Sequence, residues 1–382
     1  MVKGAVMNDY EVYEAFRNNV RRLATDKILP YAAAFDEEMR FPEESLRAFK
    51  ELGLVGLAFE EAIGGQAGDV LTQAIALEEI GRVCAASSLT LMVIWAGSVP
   101  IAKNGSEQLR NEIVRPASKG DTVFSICLTE PQTGSNLFAL KTRAERKENE
   151  WILKGQKRFI SNATRSDWYT VLARTGEKTF GLFAVHKDDP GLSFGKKEKK
   201  LGIRGSPTAD VIFDDCRIPE HRCVGDPTKG YDYITDSLSY TRILIGAQAL
   251  GIAQGAFDEA VKYTTGREQF GQVISRFQMV RGIVANLATS IEASRSLLYR
   301  AAQALEAKDP AARSLASMAK LLCSDTAMEV TTQAVQLHGG AGYTCDFPVE
   351  RMMRDAKITQ IYEGTNEIQR LIIAKYVYEG AE

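Results

Sequence analysis

Near the C-terminal end, the run IYEGTNEIQR, residues 361–370, sets one carboxylate, Glu363, between an aromatic residue and Gly-Thr-Asn. An acid beside Gly364, where the missing side chain lets a backbone or a ligand come close, suits a catalytic base working against a flat organic ligand. The same spelling also suits a plain helix cap. Four other stretches carry polar chemistry. LTEPQTGSN, residues 128–136, leaves a strand and offers hydroxyls, a proline and a glycine in one turn, which is also the composition of an inter-strand loop. In FISN, residues 159–162, Phe159 and Ser161 could face a ring system, although an aromatic in a strand is as readily core. REQFG, residues 267–271, ends a helical pattern where Arg267 could grip a pyrophosphate with paired hydrogen bonds, or form a surface ion pair. QLHGGAGY, residues 336–343, has no preceding strand and lacks GxGxxG spacing, so a glycine helix cap is its reading from helix grammar.

The elements that must position these residues follow from periodicity. Between residues 9 and 118 apolar residues recur at three- and four-residue spacings, and the interval from Cys84 to Ile101 carries no charged side chain, which predicts a deeply buried helix or the wall of an apolar cavity. From Asp121 the texture changes to short runs rich in Val, Ile, Phe, Tyr and Trp between turns, which predicts a middle antiparallel β domain, with KKEKK at 196–200 as a solvated loop. Helical spacing returns near Gly230 as three long segments with small residues at their faces. The expected class is α+β, with a helical unit over 1–120, a β unit over 121–229 and a helical bundle over 230–382.

Composition narrows the functions. With 47 Lys+Arg against 49 Asp+Glu the net charge is -2, which gives no global pull toward nucleic acid or an acidic membrane. The N-terminus has no secretory pattern, so a soluble, unexported protein is expected, cytoplasmic or, if a leader has been removed, in the mitochondrial matrix. Six cysteines without CxxC pairs fit reduced thiols, and His186, His221 and His338 are too dispersed for an obvious metal cluster.

Taken together and in order, LTEPQTGSN, WILKGQKRFISN, GIRGSPTADVIFDDCRIP, REQFGQVISRFQ, QLHGGAGY and IYEGTNEIQR resemble the acyl-CoA dehydrogenase family of flavoproteins over roughly Asp9 to Lys375. The resemblance implies a helical N-terminal domain, a middle β domain and a C-terminal four-helix bundle, assembled as a homotetramer that is a dimer of dimers. It implies FAD between the β domain and the bundle. The flavin ring would meet Ile126, Leu128, Thr129, Ser135, Phe159, Ile160 and Ser161; Arg267 and Gln278 would hold the diphosphate and adenosine portion; Gln336 and Gly340 of a neighbouring subunit, with Thr365 and Glu367, would complete the site. Phe159 departs from the family's frequent tryptophan and lacks its indole donor.

By the same resemblance Glu363 removes the proton alpha to a thioester carbonyl while the β-hydrogen leaves as hydride to flavin N5, giving a trans-2-enoyl-CoA and reduced FAD. Polarisation of the carbonyl by the Glu363 N–H and desolvation of the carboxylate would bring base and carbon acid closer in strength. Relatives that carry the base on an earlier helix place an acid where this chain has Ser239, Tyr240, Thr241 and Arg242, so no second acid competes here; that turn, with Ser135 and Gly364, would contact substrate. The interval 84–101 would form the acyl pocket through Ser88, Met92 and Trp95, and the lack of an arginine near Ser88 argues for an uncharged acyl chain, of short or medium length. Electron-transferring flavoprotein is the expected acceptor, in the manner of fatty acid β-oxidation enzymes. The rival readings are a dehydrogenase of acyl groups on acyl carrier protein, a flavin monooxygenase or oxidase on the same fold, and a non-enzymatic flavin scaffold.

Overall fold

The computed structural model describes residues 9–380. The N-terminal unit contains α1 (Asp9–Leu23), α2 (Ala32–Glu37), α3 (Glu43–Glu51), α4 (Val70–Gly81), α5 (Ala85–Asn104), α6 (Glu107–Leu109) and α7 (Arg115–Ser118). Helix α4 begins where the Asp69 carboxylate accepts the Thr72 N–H at 2.7 Å, filling one of the first-turn donors that a helix leaves unmet. Helix α5 is long and apolar enough to cross a membrane by composition, yet 94% of that stretch is buried inside the protein. It is the central core helix of this unit.

The middle unit is a seven-stranded sheet of β1 (Phe124–Cys127), β2 (Arg143–Lys147), β3 (Glu150–Ile160), β4 (Trp168–Arg174), β5 (Phe180–His186), β6 (Leu192–Phe194) and β7 (Ala209–Pro219), in the order β1-β4-β2-β3-β7-β6 with β5 on β4. Most ladders are antiparallel, as expected, but β1 runs parallel to β4 from Phe124 opposite Trp168 to Cys127 opposite Val171, and β2 meets β4 in parallel at Arg143 and Arg174. The chain between β1 and β4 passes through a long loop and the β2–β3 hairpin, which is crossover enough to bring β4 in from the same end as β1. Strands β4 and β5 are buried on both faces because the sheet lies between two cores. Trp168, Leu172, Leu182 and Ala184 join the helical core, while Tyr169, Val171, Phe183 and Val185 join the core of the sheet itself, as a period of two requires.

The C-terminal unit holds α8 (Gly230–Gly266), the small hairpin β8 (Glu268–Gln269) and β9 (Gln272–Val273), then α9 (Gln278–Glu306), α10 (Ala312–His338), α11 (Val349–Thr359) and α12 (Asn366–Glu379). Helix α10 packs on α8, α9, α11 and α12, and α8 also crosses α4. That crossing is tight: a Cβ on Gly251 would lie 2.2 Å from the Glu78 carbonyl oxygen, and one on Gly255 would lie 2.0 Å from that of Arg82. A buried charge cluster pins the same contact, with Arg17 on Glu79 at 2.7 Å and Arg295 on Glu78 at 2.9 Å linking α1, α4 and α9. The helical units are thereby locked together, with the sheet against them and a cleft at the junction.

Candidate active site

The cleft, about 810 Å³, is walled by α5, the segments around β1 and the end of β3, the first turns of α8, and the loop between α11 and α12 that carries Glu363. Four side chains on two helices hold that loop in place. The Tyr362 hydroxyl donates to Gln248 of α8, whose own amide donates to the Ala85 carbonyl at 2.8 Å. The Thr241 hydroxyl of α8 donates to Glu363 Oε2 at 2.8 Å. From α10, Lys320 Nζ donates to the Gly364 carbonyl at 2.9 Å and to Asn366 Oδ1 at 2.8 Å, while Asp325 accepts from Gln360 and Asn366, each at 2.7 Å. Thr365 then caps α12 by accepting the Ile368 N–H. The cap of α12 is therefore Thr365, and Glu363, two residues earlier, lies on the wall of the cleft.

Both Glu363, at φ 52°, and Gly364, at φ 91°, are left-handed. Glycine takes that conformation without strain and glutamate does not, so the anchored loop holds a conformation that the residue would not choose alone. Gln369 donates to the Gly364 carbonyl at 2.9 Å, and a Cβ on Gly364 would fall 2.7 Å from the same amide nitrogen. Burial pushes the Glu363 carboxyl above the usual range, against the Thr241 hydrogen bond and the charges of Arg242 and Lys320, which favour the ionised form. The same loss of water pushes Arg242 down to about 10 and Lys320 down to about 8. Arg242 is 5% exposed and its Nε has no hydrogen-bond partner.

Of the residues expected at the site, Ile126, Leu128, Thr129, Ser135, Phe159, Ile160, Ser161, Arg242, Gly364 and Thr365 line the cleft with Glu363. Two segments of this wall are tied into one platform: Ser125 Oγ donates to the Ser161 carbonyl at 2.6 Å, and the Arg158 N–H donates to the Thr129 carbonyl at 2.8 Å. Beneath it Lys157, fully buried, donates to Glu130 Oε1 at 2.8 Å and to the Leu128 carbonyl at 3.1 Å. Phe159 sits on the platform 55% exposed, in a left-handed conformation with φ 58°.

Several expectations need correction. On α8 the cleft-facing stripe is Tyr231, Thr235, Leu238 and Arg242, spaced as one face of a helix, so Ser239 and Tyr240 point elsewhere. Tyr240 is 6% exposed and its hydroxyl donates to Gln73 of α4; Thr241 spends its hydroxyl on Glu363 and is no part of the cleft lining. On α5 the facing residues are Leu89, Met92 and Val93; Ser88 donates to the Leu77 carbonyl and Trp95 to the Val55 carbonyl, so of the expected trio Met92 alone reaches the cleft. The run KKEKK is not simply solvated: Glu198, Lys199 and Lys200 line the cleft, and burial pushes Lys200 down to about 8. Arg267, Gln278, Gln336, Gly340 and Glu367 are exposed and do not line it. Arg267, just past the C-terminal end of α8, stands 25 positions and roughly 37 Å of helix from Arg242, away from the part of the cleft that holds Glu363. Lys320, Asn366, Gln369 and Gln248, which hold the loop that carries Glu363, had no place among the expected site residues.

The cleft thus brings together the half-buried Glu363 carboxylate, apolar residues of α5 and a hydroxyl-bearing platform topped by an exposed aromatic. Comparison with known proteins gives the family. The chain matches the acyl-CoA dehydrogenase N-terminal domain over residues 11–121, the middle domain over 125–216 and the C-terminal domain over 228–378. A Mycobacterium tuberculosis protein described as a probable acyl-CoA dehydrogenase is 45% identical over 369 residues, 96% of this chain and 95% of the relative. Cyclohex-1-ene-1-carbonyl-CoA dehydrogenase of Geobacter metallireducens is 43% identical over 93% of this chain and 95% of that protein. Butyryl-CoA dehydrogenase of Megasphaera elsdenii superposes with a TM-score of 0.93 at 34% identity, covering 98% of this chain and all of that one (100%). A glutaryl-CoA dehydrogenase of Mycobacterium smegmatis in complex with FADH2 superposes with a TM-score of 0.92 at 26% identity over 98% of this chain and 96% of that one. The chain belongs to the acyl-CoA dehydrogenase family, whose members are flavin-dependent oxidoreductases.

Proposed function

We propose that the protein oxidises a saturated, uncharged acyl-CoA of short or medium length to the trans-2-enoyl-CoA, with Glu363 as the base and FAD as the cofactor. The observation that carries this reading is the carboxylate itself: one acid, pinned by Thr241 at 2.8 Å and held in a left-handed turn on the wall of the cleft that Leu89, Met92 and Val93 also line. Burial raises its proton affinity toward that of a useful base at neutral pH, and the Thr241 hydroxyl keeps it oriented. Glu363 takes the α-proton onto its free oxygen, and the Glu363 N–H donates to the thioester carbonyl where charge builds up. The apolar face of α5 excludes water from the acyl chain and offers no cation to pair with a distal carboxylate.

The residues present fit a flavin. An exposed aromatic on strained backbone, beside the Thr129 and Ser161 hydroxyls and over a rigid pair of segments, offers a face and polar donors to a planar ring system. Bound there, FAD would supply the two-electron acceptor for the β-hydrogen. Thr129, Ser161 and Phe159 would hold its ring, and Thr365 the neighbouring portion. Arg267, Gln278, Gln336, Gly340 and Glu367 are exposed outside the cleft of their own chain, where a neighbouring subunit of a homotetramer could bring them to the far end of the cofactor. Electron-transferring flavoprotein is the acceptor we propose for reduced FAD. Anaerobic titration of the FAD-loaded enzyme with a panel of acyl-CoA thioesters tests the assignment: short or medium uncharged chains should bleach the flavin, and Glu363→Gln should retain FAD and not bleach. Bleaching of that variant at the native rate would assign the base elsewhere.

A further inference from the structure

We infer that Lys320 is a positioning residue for the base, fixing the Glu363–Gly364 turn through the Gly364 carbonyl and supplying a buried positive charge beneath the Glu363 carboxylate. The inference rests on Glu363 being the base. Lys320 is fully buried on α10, and its ammonium donates to the Gly364 carbonyl and to Asn366 Oδ1, both on the base's loop. Asn366 is held in turn by Ser324 and Asp325 of the same helix, at 2.9 and 2.7 Å through its amide. The ammonium is thus fixed by geometry. Its neighbours Ala316, Ala319 and Cys323 are small and buried, so the four-carbon stem lies in packed helix and the charge can go nowhere but the loop.

A buried ammonium is costly unless something needs it. Acids and cations surround it from every side: Glu363 on the loop, Asp325 on α10 and Glu367 on α12 favour its charge, and Arg242 on α8 opposes it. Glu363 in turn is acted on by Thr241 and Arg242 on α8 and Lys320 on α10, and the charge of Arg313 opposes that of Arg242. Removing Lys320 takes away one of two cations that hold the base ionised, and loosens a turn whose conformation glutamate would not choose alone. A merely structural lysine would do only the second.

The test is the pH dependence of kcat/KM for the acyl-CoA that bleaches the native flavin fastest, measured on FAD-loaded Lys320→Met and Lys320→Gln, with circular dichroism and Tm as checks on folding. The acidic limb reports ionisation of the base in the free enzyme. Loss of a neighbouring positive charge should move it upward by about one pH unit in both variants, with kcat reduced at the plateau. An acidic limb at the native position overturns the inference, whatever happens to the plateau. Failure of both variants to fold also overturns it, because the role assigned to Lys320 is confined to the loop. Glu363→Gln run in parallel separates the two readings: if it turns over normally, the assignment of the base falls first, and if it is inactive while the Lys320 limb stays put, only the role of Lys320 falls.

Discussion

Replacing Gly364 by alanine tests the geometry of the loop with the smallest possible change. An L-residue held at φ 91° meets the steric penalty of the left-handed region, roughly 1–2 kcal/mol. The new methyl would also sit 2.7 Å from Gln369 Nε2, the amide that donates to the Gly364 carbonyl at 2.9 Å, so that hydrogen bond must lengthen or break, at about 1 kcal/mol. Gly364→Ala should therefore destabilise the protein by about 2–3 kcal/mol. Because Gly364 directly follows Glu363, the proposed base, the turnover rate should fall by a larger factor than stability alone explains. Gln369→Ala removes the obstructing amide. If the clash is real, the double variant should be more stable than the sum of the two single losses implies, by about 1 kcal/mol, the coupling expected of residues in contact. Urea unfolding of the four proteins measures the cycle, and flavin bleaching by acyl-CoA gives the rate. Strict additivity, or a Gly364→Ala variant of native stability and native rate, would refute the account of why a glycine follows the acid.

Two further outcomes follow from the charges. The folded protein holds the Glu363 proton more tightly than the unfolded chain, whose ordinary glutamate value is 4.5, so the folded state binds more protons and stability falls as pH rises above 4.5 through the raised native value. Without substrate, Glu363→Gln should therefore have a higher Tm than the native protein at pH 8, with the gap closing toward pH 4.5; an equal or lower Tm at pH 8 contradicts a desolvated carboxylate. Lys157→Met leaves Glu130 buried without its cation. Burial works against that carboxylate, but Lys157 and the Lys141 and Thr142 N–H groups outweigh it and hold it down at about 2. Breaking a buried pair by removing one partner costs about 3–5 kcal/mol, and because Lys157 also holds the Leu128 carbonyl, the variant should bind FAD more weakly, by fluorescence titration of apoprotein, while an unaltered FAD affinity would detach the pair from the cleft.

The succession of helical, β and helical units was legible because periods of 3.6 and 2 are local properties of a chain, and the motif order was enough to place Glu363, Thr129 and Ser161 on one cleft. What stayed hidden depends on partners far away in sequence. Nothing within FSIC or WYTVLAR says that β1 and β4 run parallel, since the direction of pairing is set by the path between them. The apolar interval on α5 announced burial, but a helix buried all round has no amphipathic stripe to tell which side meets the cleft, so Ser88 and Trp95 were as eligible as Leu89 and Val93 until Leu77 and Val55 claimed them. On α8 the stripe was there to read: counting back from Arg242 by four, seven and eleven reaches Leu238, Thr235 and Tyr231, and the same count excludes Ser239 and Tyr240. Lys320 is the sharper case. A lysine in a helix normally marks the solvated face, yet this one sits among Ala316, Ala319, Cys323 and Ala327, all buried. Small apolar residues at one, three, four and seven positions from a lysine signal a charge turned inward. A charge turned inward must have a partner, and in this fold its partner is the loop that carries Glu363.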